Sequence, residues 1–152
     1  MNACYYRISR QKQIDSGQAP GGAAAMSNIL IVDDSPTMRR MVTASLRSLP
    51  GASFGEASSG LEAIERLALA PVDLMVLDLN MPDMHGLEVL DFLRRHQAYS
   101  RIPVIVLTTR GDEASRNDAL AAGASVYLTK PFAPQSLAAQ AAALLKPHPE
   151  RA

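Results

Sequence analysis

Asp33, Asp34, Asp78, Thr108 and Lys130 each follow or close an apolar run of strand length. Asn28 to Val32 is cut off by Asp33-Asp34, and Leu74 to Leu77 by Asp78, while Ile102 to Leu107 runs into Thr108 and Ser125 to Thr129 into Lys130. Any one of these residues alone would be an ordinary turn former, cap or solvated charge. Together they describe a chemistry. Crowded carboxylates repel, and one or more takes up a proton unless a cation sits among them. Carboxylate oxygens, a backbone carbonyl and waters are the ligands of a hard divalent ion such as Mg²⁺. A lysine ammonium suits a phosphate oxygen, and a threonine hydroxyl can donate to another. The implied anion is a phosphoryl group, and an aspartate carboxylate is a nucleophile for its transfer. Asp78 is the candidate, because it follows the central strand and the turn formers Asn80, Pro82, Asp83 and Gly86 carry the chain off the sheet behind it.

These residues converge only if the elements before them lie side by side in one direction. After the first strand, Ser35-Pro36 offers an N-cap followed by proline at the first helical position. Met38, Met41, Val42, Ser45, Leu46 and Leu49 then fall near helical spacing, with Arg39, Arg40 and Arg47 free to point outward and Pro50-Gly51 as the stop. Ala52 to Ala57 is a weaker strand, and Gly60 to Leu69 a helix with Leu61, Ile64, Leu67 and Ala68 inward. A third helix follows Gly86; a fourth opens on Asp112-Glu113 and ends at Gly123; a last one spans Pro134 to Lys146. Strict strand–helix alternation with apolar strands argues for a parallel sheet covered on both faces. Such sheets bind ligands beyond the carboxyl ends of their strands. Asp33, Asp34, Asp78, Thr108 and Lys130 are therefore predicted to share one edge.

Composition narrows the function classes. A 152-residue chain suits one domain, and 15 basic against 15 acidic residues give no net charge to attract nucleic acid or an anionic membrane. The single cysteine, Cys4, allows no disulfide framework within the chain and fits a reducing compartment. No apolar run approaches the roughly 18 residues that span a bilayer. A soluble, cytoplasmic protein is the expectation.

The chain resembles a response-regulator receiver domain, close to the single-domain chemotaxis type. The resemblance is carried by Val32-Asp33-Asp34-Ser35, Leu77-Asp78-Leu79-Asn80-Met81-Pro82 with Gly86, Thr108, Tyr127 and Lys130-Pro131-Phe132, and by their spacings, from Ser27 to Lys146. It implies a doubly wound, flavodoxin-like α/β fold: a five-stranded parallel sheet in the order 2-1-3-4-5 with five helices. By the same resemblance Asp78 accepts a phosphoryl group from a histidine kinase, and Asp34, Asp78 and the backbone carbonyl of Asn80 bind Mg²⁺, with Asp33 helping through water. Thr108 and Lys130 would hold the phosphoryl oxygens, Tyr127 would be the aromatic switch, and the Lys130–Pro131 bond would be cis. The domain is expected to be a phosphoacceptor that assists its own phosphorylation and dephosphorylation, rather than a conventional enzyme.

Residues 1–25, with no apolar periodicity and a Gly/Pro/Ala stretch, are expected to be a disordered extension that adds nothing to fold or phosphorylation. Residues 26–148 are expected to form the receiver domain and 149–152 a short tail, with no output domain expected. The signal is thus expected to leave by a surface, the face of the fourth helix, fifth strand and fifth helix, toward a chemotaxis, motility or other protein target, from a monomer. Two other readings fit less well. An aspartate-nucleophile phosphatase needs a second acid where this chain has Asn80, and a flavodoxin-like cofactor binder needs a phosphate loop where it has Asp33-Asp34.

Overall fold

The structure, a computed structural model, describes residues 26–145. The expectations for residues 1–25, for the tail 149–152 and for the helix end at Lys146 lie outside the described residues. Five strands, β1 (Ser27–Val32), β2 (Ala52–Ala57), β3 (Leu74–Asp78), β4 (Val104–Thr108) and β5 (Val126–Thr129), alternate with five helices. The helices are α1 (Pro36–Leu46), α2 (Gly60–Leu69), α3 (Gly86–Arg95), α4 (Glu113–Ala121) and α5 (Pro134–Leu145). The strands pair in parallel in the order β2-β1-β3-β4-β5, as expected.

The two-residue period of the strands divides the apolar residues between two cores. Ile29, Ile31, Leu74, Val76, Ile105 and Leu107 pack with Val42 and Leu46 of α1 and Leu137 and Ala141 of α5. Leu30, Val32, Met75, Leu77, Val104 and Val106 face α2, α3 and α4 through Ala63, Leu67, Val89, Leu90, Leu93 and Ala119. Each such large side chain contributes about 1.5–3 kcal/mol by leaving water. That burial on both faces is what makes β3 and β4 rigid carriers for the residues at their ends.

Local signals act as read: Ser35 Oγ accepts from Met38 N at 3.2 Å with Pro36 behind it, Asp112 caps α4, and Gly123 takes the positive φ of 114°. Three expectations need correction. Helix α1 ends at Leu46 and buries Val42 and Leu46 while Met41 is 49 % exposed, and Leu49 instead closes the following turn through Leu49 N to Leu46 O at 3.1 Å. In α2 the buried face is Gly60, Ala63 and Leu67, whereas Leu61 is 56 % exposed and Ala68 also faces out. Gly60 opens that face because α2 there approaches the β3–α3 loop closely: a Cβ on Gly60 would lie 2.7 Å from Met84 Cβ. The third correction is Arg39, which turns inward and is described below.

Arg94 fastens the far end of α3. Its guanidinium donates to the Gly123 carbonyl through Nε (3.2 Å) and Nη2 (2.7 Å), and to the Ser100 and Ile102 carbonyls through Nη1 at 3.0 and 2.8 Å. Burial pulls its pKa below the ordinary arginine value, and the carbonyls hold the charge without a carboxylate partner among the described residues. Arg94→Met keeps the stem and strands three carbonyls, so urea denaturation is expected to show a loss of about 2–4 kcal/mol.

Candidate functional site

Parallel strands put their carboxyl ends on one edge, and there the structure brings together Asp33, Asp34, Asp78, Thr108 and Lys130. Asp33, just past β1, and Asp78, closing β3, are buried, whereas Asp34 is exposed. One carboxylate oxygen from each lies within 4.8 Å of the others. Lys130, just past β5, donates from Nζ to Asp33 Oδ2 at 2.8 Å and sits 3.5 Å from Asp78 Oδ1. The Lys130–Pro131 bond is cis, as the resemblance implied.

Charge at this edge is unbalanced, since three carboxylates face one ammonium. Burial pushes the Asp78 carboxyl above its ordinary pKa; Lys130 pulls it back, Asp33 pushes it further up, and the Asn80 N–H at 3.3 Å opposes. A surplus of oxygen donors, with no histidine or thiolate among them, matches a hard divalent cation. The donor set fits Mg²⁺.

The β3–α3 loop that carries Asn80 is pinned where it rejoins the helix. Gly86 N donates to Leu79 O at 2.9 Å, and a Cβ on Gly86 would stand 2.7 Å from both Asp78 O and Leu79 Cα. Only glycine lets the loop close that tightly against the strand end. Leu79 and Met81 turn inward, so Asn80 between them faces the edge, exposed. Its side chain donates from Nδ2 to Thr108 Oγ1 at 3.4 Å, and Arg110 N donates to the same hydroxyl at 3.3 Å. With two donors on its oxygen, the fully buried Thr108 hydroxyl has its proton left to give.

Tyr127 lies across from Val106 in the β4–β5 register, two positions before Thr108. Its ring is buried and its hydroxyl donates to the Arg110 carbonyl, in the segment that also touches Thr108. Burial, and Asp112 after it, raise the phenol pKa.

Two residues that fasten this edge were not singled out from sequence. Arg39 donates from Nη1 to the Asp33 carbonyl at 2.7 Å and from Nε to Glu56 Oε1 at 2.7 Å, which is why it turns inward. Its place on the first turns of α1, after two acids, was the available signal. Asp83, read only as a turn former, accepts from the first amides of α2.

A family model for the response regulator receiver domain matches residues 29–142, nearly all of the described chain. The chain belongs to that family. This receiver domain is 42 % identical over 110 residues to the chemotaxis protein CheY1 of Helicobacter pylori, a match covering 72 % of this chain and 89 % of the relative. It is 40 % identical to the transcriptional regulatory protein KdpE of Mycobacterium tuberculosis, but there the match spans 70 % of this chain and 46 % of the relative. Among solved structures it resembles the chemotaxis response regulator CheY4 of Vibrio cholerae, with a TM-score of 0.73 and 33 % identity over 80 % of this chain and 100 % of that one. Receiver domains are signalling proteins that work with a histidine kinase and downstream targets, and they generally bind Mg²⁺. The hydrolase and cofactor-binder readings fall away with that membership.

Proposed function

We propose that the chain is a phosphoryl-accepting regulator whose acceptor is Asp78, in a chemotaxis or motility circuit like those named for its CheY relatives. The observation that carries this is the meeting of Asp33, Asp34 and Asp78 with Lys130 Nζ, 2.8 Å from one buried carboxylate and 3.5 Å from the other. A carboxylate oxygen of Asp78 attacks the phosphorus of a phosphohistidine on the kinase. The P–N bond breaks, its electron pair stays on the imidazole nitrogen, and an acyl phosphate forms on Asp78. Asp33, Asp34, Asp78 and the Asn80 carbonyl would hold Mg²⁺, which supplies charge neutralisation for the incoming anion. Lys130 places its ammonium on a transferred oxygen, and Thr108 donates its free proton to another. The same groups would assist phosphorylation and the later attack of water.

Output follows from Thr108. A dianionic phosphoryl group draws its hydroxyl into a charge-assisted bond, roughly twice as strong as a neutral one. Space beside β4 then favours the inward Tyr127, the arrangement with its hydroxyl on the Arg110 carbonyl. Phosphorylation shifts the population between two arrangements, and a protein partner that prefers the inward one binds the face of α4, β5 and α5 more tightly. The same reading carries a monomeric, cytoplasmic protein; among the described residues no helix is long and apolar enough to cross a membrane.

Incubation with acetyl phosphate and Mg²⁺, read by intact mass, tests the function. One phosphoryl group per chain is expected, and chelating the Mg²⁺ is expected to abolish it. Labelling that ignores the chelator would contradict the reading.

A further inference from the structure

We propose that Asp83 is a positioning residue: its carboxylate straps the β3–α3 loop to the start of α2 and so holds the Asn80 carbonyl in place for a divalent cation. This rests on the magnesium-assisted phosphoacceptor reading above.

The first amides of a helix have no partner within it, so each must be accounted for. In α2, Ser59 Oγ takes Glu62 N at 3.1 Å and Ser59 O takes Ala63 N at 3.0 Å. Glu62 Oε1 reaches back to Ser58 N at 2.8 Å, giving α2 a cap made of its own residues. That cap leaves the amides of Gly60 and Leu61. Asp83, more than twenty residues away along the chain, takes both: Oδ1 accepts from Gly60 N at 3.3 Å and Oδ2 from Leu61 N at 3.2 Å.

Two features tie this contact to the loop as well as to the helix. Asp83 is exposed and buries nothing of its own, and the neighbouring Met84 packs on Gly60 so closely that a Cβ there would meet it at 2.7 Å. At its other end the loop is pinned by Gly86 N on Leu79 O. Asn80 lies between these two attachments. Freed at Asp83, the loop loses its hydrogen bonds to α2 and is left with the Gly86 bond and the apolar packing of Leu79, Met81 and Met84, so the Asn80 carbonyl is held less firmly relative to Asp78. Groups that orient metal ligands typically change affinity by about 10–100-fold when removed.

Magnesium titration, followed by the Asn80 amide shift in NMR and by melting temperature, tests the strap. Asp83→Ala is expected to weaken Mg²⁺ binding about tenfold. Labelling by acetyl phosphate should need correspondingly more Mg²⁺ yet reach a similar rate at saturation. Asp83→Asn, with one acceptor oxygen instead of two, is expected to fall between. Leu61→Pro removes one donor from the opposite side in a first turn that tolerates proline, and is expected to weaken binding several-fold. The double variant should be no weaker than Asp83→Ala alone. Asp83→Ala binding Mg²⁺ within twofold of wild type overturns the strap; if that variant does not fold, Leu61→Pro decides by the same criterion. A wild-type chain with no magnesium response overturns the phosphoacceptor reading, and the strap with it.

Discussion

Asp78→Asn is expected to reduce phosphoryl incorporation at least about a hundredfold, because the amide removes the nucleophile while leaving the rest of the edge in place. The same substitution is expected to stabilise the fold in magnesium-free buffer at neutral pH. The folded-state pKa of Asp78 is raised, chiefly by burial, so the folded chain binds its proton more tightly than the unfolded chain does. The stability this lends is fully present below the unfolded pKa and is lost as pH rises through the folded one. Above that window the ionised carboxylate is a burden, and the neutral amide of the variant does not carry it. Denaturation of both proteins from acid to neutral pH should show the variant gaining relative to wild type as pH rises. A gain that shrinks with rising pH would contradict the placement of Asp78 among buried like charges.

Thr108→Ala is expected to leave Asp78 able to accept a phosphoryl group, more slowly, but to disconnect it from β5. The hydroxyl touches both sides: it accepts from Asn80 beside Asp78 and from Arg110, whose carbonyl takes the Tyr127 hydroxyl. Its loss costs about 1–2 kcal/mol of buried hydrogen bonding, which a chain of this size should tolerate. Beryllium fluoride, a phosphoryl mimic, should move the NMR signals of Val126–Thr129 and of α4 in wild type and leave them nearly still in the variant. Equal responses would mean the signal travels by another route.

The sheet and the edge were legible because period-two burial and parallel pairing leave few alternatives. Once β1, β3, β4 and β5 are apolar runs pointing the same way, Asp33, Asp78, Thr108 and Lys130 have nowhere else to be. Helix faces were less legible. In α2 the pattern offered Leu61 and Ala68 for the inner face, whereas the fold buries Gly60, Ala63 and Leu67, with Met84 close against Gly60. Arg39 and Asp83 were hidden for a related reason. A charged residue on a helix or turn reads as solvated; Arg39 finds the Asp33 carbonyl and Glu56 on another element, and Asp83 the amides of Gly60 and Leu61, and neither a backbone partner nor a distant charge can be paired from the sequence.

The most direct measurement on the phosphoacceptor is to find the phosphoryl group. Wild-type protein labelled with acetyl phosphate and Mg²⁺ is reduced with borohydride, which converts an aspartyl phosphate to homoserine, and the peptides are sequenced by mass spectrometry. The predicted result is homoserine at position 78 alone; homoserine at 33 or 34, with Asp78 unchanged, would contradict it.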